Sequence, residues 1–271
     1  LLTYPANRYK GKRKEKTLKQ LVEEGYVSIS LETVRNIMGR VSSFFNWLVK
    51  QGYTESNPFS GIAPRRSHSA RSERHPFTDD DLRLLFGTAL FKEKKYTHDW
   101  QYWLPLLGLY TGARLEELCQ LKVQDFKIAD GCHYIDINSN GDIENRVKTP
   151  SSIRKIPLHN ELLRLGLIDI LGMSSRTSFL FDLRRINTNL GHVPSKWFSG
   201  YKDSLGLPKG TKVFHSFRHT LRDKLTGAGV PSEHIREILG HEQLGETFGR
   251  YGSAIPIDVL KESIDKMKVP L

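Results

Sequence analysis

The sequence predicts a mainly α-helical protein with one small antiparallel β-sheet, an α+β fold. Apolar residues recur at three- and four-residue steps along much of the chain, which is typical of helices that pack on one face. Short segments at 133–138, 146–149 and 152–158 have the pattern of strands. A stretch rich in Pro, Ser and Arg separates two helix-rich regions, as in a linker. These observations predict two domains, with the sheet in the second.

The first domain is predicted to be helical and to span residues 1–64. Its clearest element is an amphipathic helix over 31–50, where residues such as Val34 and Ile37 form one apolar stripe and Gly52 follows as a stop signal. The chain does not begin with Met. We therefore expect this domain to be N-terminally truncated.

A basic linker over 65–75 leads into the second domain, 76–271. Thr78 precedes acidic residues and an apolar run, which is the pattern of a capped helix start. The segment 99–121 has the pattern of two helices broken at Gly112. Further helices are predicted at 160–171, 194–205, 215–228 and 231–239, and from 256 onward.

The net charge of the chain restricts its partners. It has 41 Lys and Arg against 30 Asp and Glu, which leaves a formal charge of +11. Such an excess points to a polyanion, most often nucleic acid. Two cysteines, Cys119 and Cys132, are too few for a disulfide framework and indicate a reducing compartment, so we expect a cytoplasmic protein. No apolar run approaches the roughly 20 residues that cross a bilayer, and no membrane partner is expected.

Three basic side chains share one predicted helix face in the segment 215–220. His215, Arg218 and His219 are three and four residues apart. Two His at this spacing are known from a zinc motif, but the Glu of that motif is missing and Arg218 would place a positive charge beside the metal. A phosphate fits the pattern better, because a guanidinium binds it through two parallel hydrogen bonds. The alternative is a basic, solvated helix face.

Arg114 begins a predicted helix directly after the break at Gly112. The unpaired N–H groups of a helix start attract anions, and the guanidinium would add a full charge there. Glu117, three residues further on, is placed to hold that guanidinium. The alternative is an ordinary surface ion pair, worth less than about 1 kcal/mol.

Two other positions gain meaning only in combination with these. His241 follows the helix-ending Gly240, and Tyr251 lies ten residues later in a Gly-rich stretch. A tyrosine in such a place is usually a packed aromatic. Lys148 lies near a turn between two predicted strands, and Lys155, inside the last strand, is its competitor.

Taken in chain order, these residues resemble the pattern of the tyrosine recombinase, or phage integrase, family. The resemblance rests on the segments TGARLEEL, HSFRHT and ILGHEQLGETFGRY and covers about residues 76–271. It implies a helical core-binding (SAM-like) DNA-binding domain at 1–64 and a catalytic domain with a C-terminal helix at 76–271. The catalytic residues that it implies are Arg114, Lys148, His215, Arg218, His241 and Tyr251.

The resemblance also implies a reaction. Tyr251 attacks the scissile phosphate and leaves a 3′-phosphotyrosine and a free 5′-hydroxyl. Arg114 and Arg218 bind the charged oxygens, and Lys148 is the implied general acid. The two histidines, His215 and His241, donate hydrogen bonds or move the tyrosine proton, and their separate roles stay open. No metal or other cofactor is needed.

The implied function is site-specific recombination, with integration or excision of a phage or other mobile element as the expected role. The implied partners are double-stranded DNA core sites and a homotetramer formed through exchange of the C-terminal helix. That helix carries an apolar stripe, including Leu260 and Ile264, which fits packing either in its own chain or on a neighbour. The alternatives are a topoisomerase-like enzyme, a DNA-binding protein without catalysis, and a metal-dependent nuclease.

Overall fold

Helices and one three-stranded sheet make up the computed structural model, which describes residues 2–9, 11–64, 74–138, 152–172, 179–241 and 255–270. The chain divides into two units, Leu1–Arg71 and Ser72–Leu271. The predicted fold class, mainly α with a small antiparallel sheet, is confirmed. The predicted domain bounds at 1–64, 65–75 and 76–271 stay a prediction.

The first unit contains a 3₁₀ turn at Gly11–Glu15 and two helices, α1 (Leu18–Glu23) and α2 (Leu31–Lys50). The helix predicted over 31–50 is therefore confirmed in both bounds. It begins there because the Ser30 side chain accepts a hydrogen bond from the N–H of Thr33 and satisfies one of the unpaired donors of the first turn.

The core of the first unit is small. Among its described residues, Leu21 and Val34 are almost completely buried, and Pro5 is buried as well. Phe44 and Trp47 stack on one another along α2 with ring centroids 6.2 Å apart, yet both stay half exposed. The apolar stripe of α2 is thus real, but most of it lies at the surface of this unit.

The second unit contains the larger set of elements. Its helices are α3 (Asp79–Phe86), α4 (Ala89–Lys92), α5 (Asp99–Thr111), α6 (Leu115–Cys119), α7 (Asn160–Arg164), α8 (Leu167–Gly172), α9 (His192–Ser204), α10 (Ser216–Gly227), α11 (Ser232–Leu239) and α12 (Ile257–Ile264). The predicted cap at Thr78 is confirmed, since Thr78 and Asp81 form a reciprocal capping box.

Gly112 ends α5 and turns the chain into α6, as the sequence predicted. Its φ of 61° lies in the left-handed region, which glycine adopts without strain. A Cβ at this position would also lie 2.6 Å from Cδ2 of Leu239 and 2.8 Å from Cδ2 of Leu221. The turn can therefore pack directly against α10 and the end of α11.

The sheet has the order β1-β2-β3, with β1 at Phe126–Ala129, β2 at Cys132–Ile137 and β3 at Arg154–Pro157, and both pairings are antiparallel. The predicted strands at 133–138 and 152–158 are confirmed, the latter in shortened form. β1 was not predicted, because it is short and mostly exposed and so lacks a clear alternating pattern. The predicted strand at 146–149 lies outside the described residues.

One helix prediction was wrong. The segment 160–171 forms two short helices, α7 and α8, rather than one. The break falls at Gly166, whose φ of 92° is outside the helical range. The apolar residues continue with a similar spacing on both sides of the break, which is why the pattern indicated a single helix.

The core of the second unit is built around α5, which is buried along nearly its whole length and packs against α10. The last helix, α12, packs on β3 and α11 of the same chain. Leu260, Ile264 and Met267 are all buried in this core, so the apolar stripe of the C-terminal helix is covered within its own chain. Within the described ranges, no helix is both long and apolar enough to cross a membrane.

Candidate active site

Arg114 occupies the N-cap position of α6, directly after the Gly112 turn. Its backbone N–H donates to Oε2 of Glu117 at 2.9 Å, and its Nη1 donates to Oε1 of the same carboxylate at 2.6 Å. The side chain of Arg114 is 28% exposed, whereas that of Glu117 is 7% exposed. The predicted pairing is thus present, and it fixes a guanidinium that still reaches solvent.

Glu117 holds a second guanidinium, that of Arg154 on β3. Nη2 of Arg154 donates to Oε2 of Glu117 at 2.9 Å, and both side chains are buried. Burial by itself would raise the pKa of Glu117, but the charges and hydrogen bonds of Arg154 and Arg114 outweigh it and lower the pKa below its usual value. Glu117 is therefore a carboxylate shared between two arginines.

Arg218, on α10, is buried and bound by backbone carbonyls. Its Nη1 donates to the carbonyl oxygen of Gly112 at 2.9 Å, and its Nη2 donates to the carbonyl oxygen of Leu239. It therefore joins the α5–α6 turn to the C-terminal end of α11. Burial, followed by the charges of Arg154 and Arg114, lowers the pKa of Arg218 to about 9, so this guanidinium stays protonated at neutral pH.

His215 occupies the N-cap position of α10, three residues before Arg218. Its ring lies 5.2 Å from that of His219, centroid to centroid, in an edge-to-face arrangement. Burial, with added repulsion from His219 and Arg218, lowers the pKa of His215 to about 4. His215 is therefore neutral at pH 7, with one ring nitrogen as donor and the other as acceptor.

His241 follows Gly240, whose φ of 63° ends α11 as predicted. Its N–H donates to the carbonyl oxygen of Arg236 at 3.0 Å. Its residue surface is exposed, but partial desolvation and the nearby charges of Arg218 and Arg114 lower the pKa of the ring to about 4. The imidazole of His241 is therefore also neutral at pH 7, and it lies near the charges of Arg218 and Arg114.

The charges at this site do not balance. Among the described residues, the guanidinium groups of Arg114, Arg154 and Arg218 lie near the carboxylate of Glu117, which pairs with the first two, while neutral carbonyl oxygens bind Arg218. A buried cation without a paired negative charge is costly, and an anion that enters the site would supply that charge. The geometry is therefore suited to a phosphate group. In the part of the chain that the structure describes, no three His, Cys, Asp or Glu side chains are placed to hold a metal ion.

The structure brings together four of the six predicted site residues: Arg114, His215, Arg218 and His241. The other two, Lys148 and Tyr251, lie outside the described residues and stay predictions. The competitor of Lys148 is Lys155, which is exposed on β3 with its Nζ 5.4 Å from the ring centroid of Tyr134. Adjacent residues of a strand face opposite sides of the sheet, so Lys155 points away from the site that Arg154 faces.

Sequence reasoning missed the functional position of Arg154. Its guanidinium lies among Glu117, Ser152 and Ile238, and the side chain is 1% exposed. The signal was present in the strand pattern, because Arg154 shares the inward face of β3 with Ile156. An arginine on the apolar side of a strand is rare unless a buried carboxylate pairs with it.

The model of the phage integrase family matches residues 77–254, which is more than half of the chain. The chain belongs to the phage integrase family. The four described site residues, from Arg114 to His241, all lie inside the matched range. The resemblance to the tyrosine recombinase, or phage integrase, family is thereby confirmed, and this family consists of enzymes that cleave and rejoin DNA.

Two sequence relatives of this chain are tyrosine recombinases. The chain is 27% identical over 267 residues to "Tyrosine recombinase XerC-like" of Caldanaerobacter subterraneus, covering 88% of this chain and 65% of the relative. It is 27% identical over 224 residues to "Tyrosine recombinase XerC" of Oceanobacillus iheyensis, covering 81% of this chain and 69% of the relative. The chain thus spans about two thirds of the length of these relatives.

The fold is shared with solved integrases of the family. The integrase from mycobacterium phage Brujita matches with a TM-score of 0.52 and 18% identity, over 96% of this chain and 82% of that one. The Tn1549 transposon integrase in complex with circular intermediate DNA matches with a TM-score of 0.57 and 18% identity, over 91% and 81%. A lambda integrase dimer bound to a COC′ core site matches with a TM-score of 0.54 and 20% identity, over 83% and 76%. At these identities the likeness establishes the fold.

Proposed function

We propose that the chain is a site-specific tyrosine recombinase that cleaves and rejoins DNA through a covalent 3′-phosphotyrosine, with Tyr251 as the nucleophile. The observation that carries this proposal is the excess of guanidinium charge beside two neutral histidines. Arg114 reaches solvent from a fixed position, and two carbonyl oxygens hold the nearby guanidinium of Arg218. The charged groups of such a site are already in position to bind a phosphodiester.

The proposed cleavage step transfers the scissile phosphoryl group from the 5′-oxygen to Tyr251. The phenolic oxygen of Tyr251 forms a bond to the scissile phosphorus while the bond from phosphorus to the 5′-oxygen breaks. The five-coordinate transition state concentrates negative charge on its equatorial oxygens, and Arg114 and Arg218 stabilise that charge. Removing one preorganised donor of this kind typically lowers the rate by about 10²–10³-fold.

Two protons move in this step. A phenol has a pKa near 10, so Tyr251 must lose its proton as it attacks. The neutral imidazoles of His215 and His241 each offer an acceptor nitrogen at pH 7. Lys148 is the proposed acid that protonates the leaving 5′-oxygen. Religation reverses both transfers, so the phosphodiester is restored without another energy source.

The proposed partner is double-stranded DNA. The net charge of +11 suits a protein that neutralises many phosphates. Two neighbours in fold are integrases in complex with DNA, a transposon integrase and a lambda integrase. Because binding of this kind releases counterions, its affinity is expected to fall steeply as salt increases. Bacterial cytoplasm with access to the nucleoid is the corresponding proposed location.

The biological role has two candidates. Integration or excision of a phage or other mobile element is our first proposal, supported by the shared fold with phage and transposon integrases. A host recombinase that acts on the chromosome is the second, supported by the sequence relatives named tyrosine recombinase XerC. DNA from the ends of an adjacent mobile element and DNA from the host chromosome, tested side by side as cleavage substrates, separate the two.

The homotetramer with exchanged C-terminal helices stays a proposal for the synaptic complex. In the single chain, α12 buries Leu260 and Ile264 in its own core, and Lys261 donates to Asn160 at 2.6 Å. Exchange would require these contacts to break and to re-form on a neighbour. Size measurement with and without DNA tests this, and a chain that stays monomeric on DNA would contradict it.

Covalent trapping on nicked duplex DNA in the presence of EDTA tests the proposed function. The nick lets the strand beyond the cleavage site diffuse away, so the protein–DNA link accumulates. We expect a denaturation-resistant band with the unaltered chain and with a Tyr53→Phe control, in which an exposed tyrosine is changed. The band should vanish in Tyr251→Phe. Cleavage that needs magnesium and survives Tyr251→Phe would instead identify a metal-dependent nuclease.

DNA binding by the unaltered chain with no covalent band on any selected site would favour the alternative of a DNA-binding protein without catalysis. Release of a nicked duplex that is resealed with no exchange of partners would favour a topoisomerase-like activity. Both outcomes are read from the same reactions, the first on denaturing gels and the second by following a labelled strand into a second duplex.

A further inference from the structure

We propose that Arg154 is a positioning residue for catalysis, which acts by holding Glu117 and thereby fixing the guanidinium of Arg114. This inference rests on the proposed function. Arg154 is not among the six residues that the family resemblance assigned, and its side chain is buried beneath the surface of the site. Its importance follows from what its guanidinium joins.

The guanidinium of Arg154 contacts three separate parts of the second unit. Nη2 donates to Oε2 of Glu117 at 2.9 Å, Nη1 donates to the carbonyl oxygen of Ser152 at 2.8 Å, and Nε donates to the carbonyl oxygen of Ile238 at 2.8 Å. One planar group therefore connects α6, the start of β3 and the C-terminal end of α11. The two carbonyl oxygens fix the position of the Arg154 guanidinium. Its third hydrogen bond then holds the carboxylate of Glu117 in place.

Arg114 depends on the atoms that Arg154 holds. Its Nη1 donates to Oε1 of Glu117 at 2.6 Å and to Oγ of Ser152 at 3.2 Å. Arg154 binds the other oxygen of the same carboxylate and the backbone carbonyl of the same serine. Without Arg154, Oε2 of Glu117 keeps the backbone N–H of Arg114 but loses the anchored guanidinium, and the carbonyl oxygen of Ser152 loses its Nη1 donor. Both partners that orient Arg114 are then held less firmly.

Burial together with internal hydrogen bonds argues against a direct role for Arg154 on DNA. Its side chain is 1% exposed, against 28% for Arg114, and its Nε, Nη1 and Nη2 all donate to acceptors inside the protein. A change at Arg154 should therefore act on the rate of the chemical step far more than on DNA affinity. Misplacement of a catalytic group by about 1 Å can cost about 10²-fold in rate, which sets the scale of the expected effect.

Lysine cannot replace this arginine. A guanidinium presents five N–H donors in a rigid plane, whereas an ammonium is a compact point charge on a flexible stem. Arg154→Lys keeps the positive charge beside Glu117 but cannot reach all three acceptors in one geometry. Arg154→Lys therefore disturbs the placement of Glu117 but keeps a positive charge beside it, so this variant separates the two contributions.

The experiment measures single-turnover cleavage and DNA affinity on a duplex selected from a random-sequence library by binding to the Tyr251→Phe protein. Two forms of the nicked duplex are compared, one with a phosphodiester at the scissile position and one with a methylphosphonate. The methylphosphonate lacks one charged oxygen, so it needs less stabilisation by Arg114. The reference variant is Arg114→Lys, and the control is Arg164→Lys, which changes an exposed arginine.

We expect Arg154→Lys to bind the duplex within about twofold of the unaltered chain and to cleave the phosphodiester about 10- to 100-fold more slowly. On the methylphosphonate this loss should shrink several-fold, in parallel with Arg114→Lys, and Arg164→Lys should show no loss on either substrate. Equal losses on both substrates would overturn the inference, because a merely structural role does not distinguish them. A loss confined to DNA affinity would overturn it as well.

If the Arg154→Lys protein does not fold, a second comparison tests the same inference. The double variant Glu117→Gln with Arg154→Met removes both buried charges and leaves neither one uncompensated. If Arg154 acts through Glu117, the double variant cleaves within about twofold of Glu117→Gln alone. A further multiplicative loss would contradict the inference. Failure of the unaltered chain to form any covalent link would contradict the proposed function instead, so the two failures are distinguishable.

Discussion

The two sides of the candidate site hold their guanidinium groups in different ways. Arg114 and Arg154 share the buried carboxylate of Glu117, so their charges are partly compensated before any substrate arrives. Arg218 is held by the carbonyl oxygens of Gly112 and Leu239, and burial, followed by the neighbouring cations, lowers its pKa. The Glu117 side therefore holds its guanidinium groups in place before any ligand binds. On the Arg218 side the positive charge has no paired carboxylate, so an incoming anion is attracted most strongly there.

This difference predicts which changes act on stability and which act on ligand binding. A change on the Glu117 side leaves a buried charge without its partner in the free protein. A change on the Arg218 side weakens the interaction with an anion that is not yet present. The following predictions test that contrast, from the largest expected effect to the smallest.

Glu117→Gln is expected to destabilise the protein by about 3–5 kcal/mol, because it leaves the buried Arg154 uncompensated. Urea denaturation monitored by circular dichroism measures the change. The matched control is Glu161→Gln, which breaks an exposed pair with Arg164 and should cost less than about 1 kcal/mol. Equal effects at the two positions would show that the Glu117 pairs contribute no more than a surface salt bridge.

Inorganic phosphate is expected to raise the melting temperature, because it binds the folded site and not the unfolded chain. At a concentration tenfold above its dissociation constant, the stabilisation would be about 1.4 kcal/mol. Arg218→Lys should reduce this gain more than Arg83→Lys, which changes an exposed arginine paired with Asp80. The contrast fails if phosphate stabilises the Arg218→Lys and Arg83→Lys proteins equally.

Acid should destabilise the protein through His215 and His241, whose imidazoles are neutral in the folded state at pH 7. The folded state lowers the pKa of His215 and of His241 to about 4, below the value of about 6.5 in an unfolded chain. Between these values the unfolded chain binds more protons, so stability present above pH 6.5 is lost as pH falls towards 4. His215→Asn should flatten this part of the stability profile. A profile unchanged by that substitution would contradict the predicted protonation state.

Lys155→Ala is expected to have the smallest effect. Lys155 is exposed on the outer face of β3, so cleavage should stay within about twofold of the unaltered chain, and stability within about 0.5 kcal/mol. Lys148→Ala should lower the cleavage rate strongly if Lys148 is the general acid. Single-turnover rates on the same nicked duplex compare the two. The opposite ranking would reassign the acid to Lys155.

Local signals carried most of the fold prediction. The helix at 31–50 has both a regular apolar spacing and a cap at Ser30, and its bounds were predicted correctly. Thr78 and Gly112 were recognised because capping and left-handed turns need particular residue types. The strand β1 and the break at Gly166 were missed, since β1 is short and exposed and the apolar pattern continues through the break.

The site was predictable where it depends on neighbours in sequence. The pairing of Arg114 with Glu117 follows from their spacing at a helix start, and it was anticipated. The contacts of Arg154 with Glu117 and Ile238 join residues 37 and 84 positions apart, and spacing does not encode such contacts. Only the fold brings these residues together. The pKa shifts of the histidines depend on the same assembly.

The most direct test of the central claim is to identify the residue that becomes linked to DNA. After trapping on a nicked duplex without metal, nuclease and protease digestion would leave one peptide with a bound nucleotide. Mass spectrometry should place a 3′-phosphate on Tyr251, and Arg114→Lys should lower the yield of that peptide. Attachment at any other residue, or cleavage with no attached nucleotide, would contradict the assignment of a tyrosine recombinase with this site.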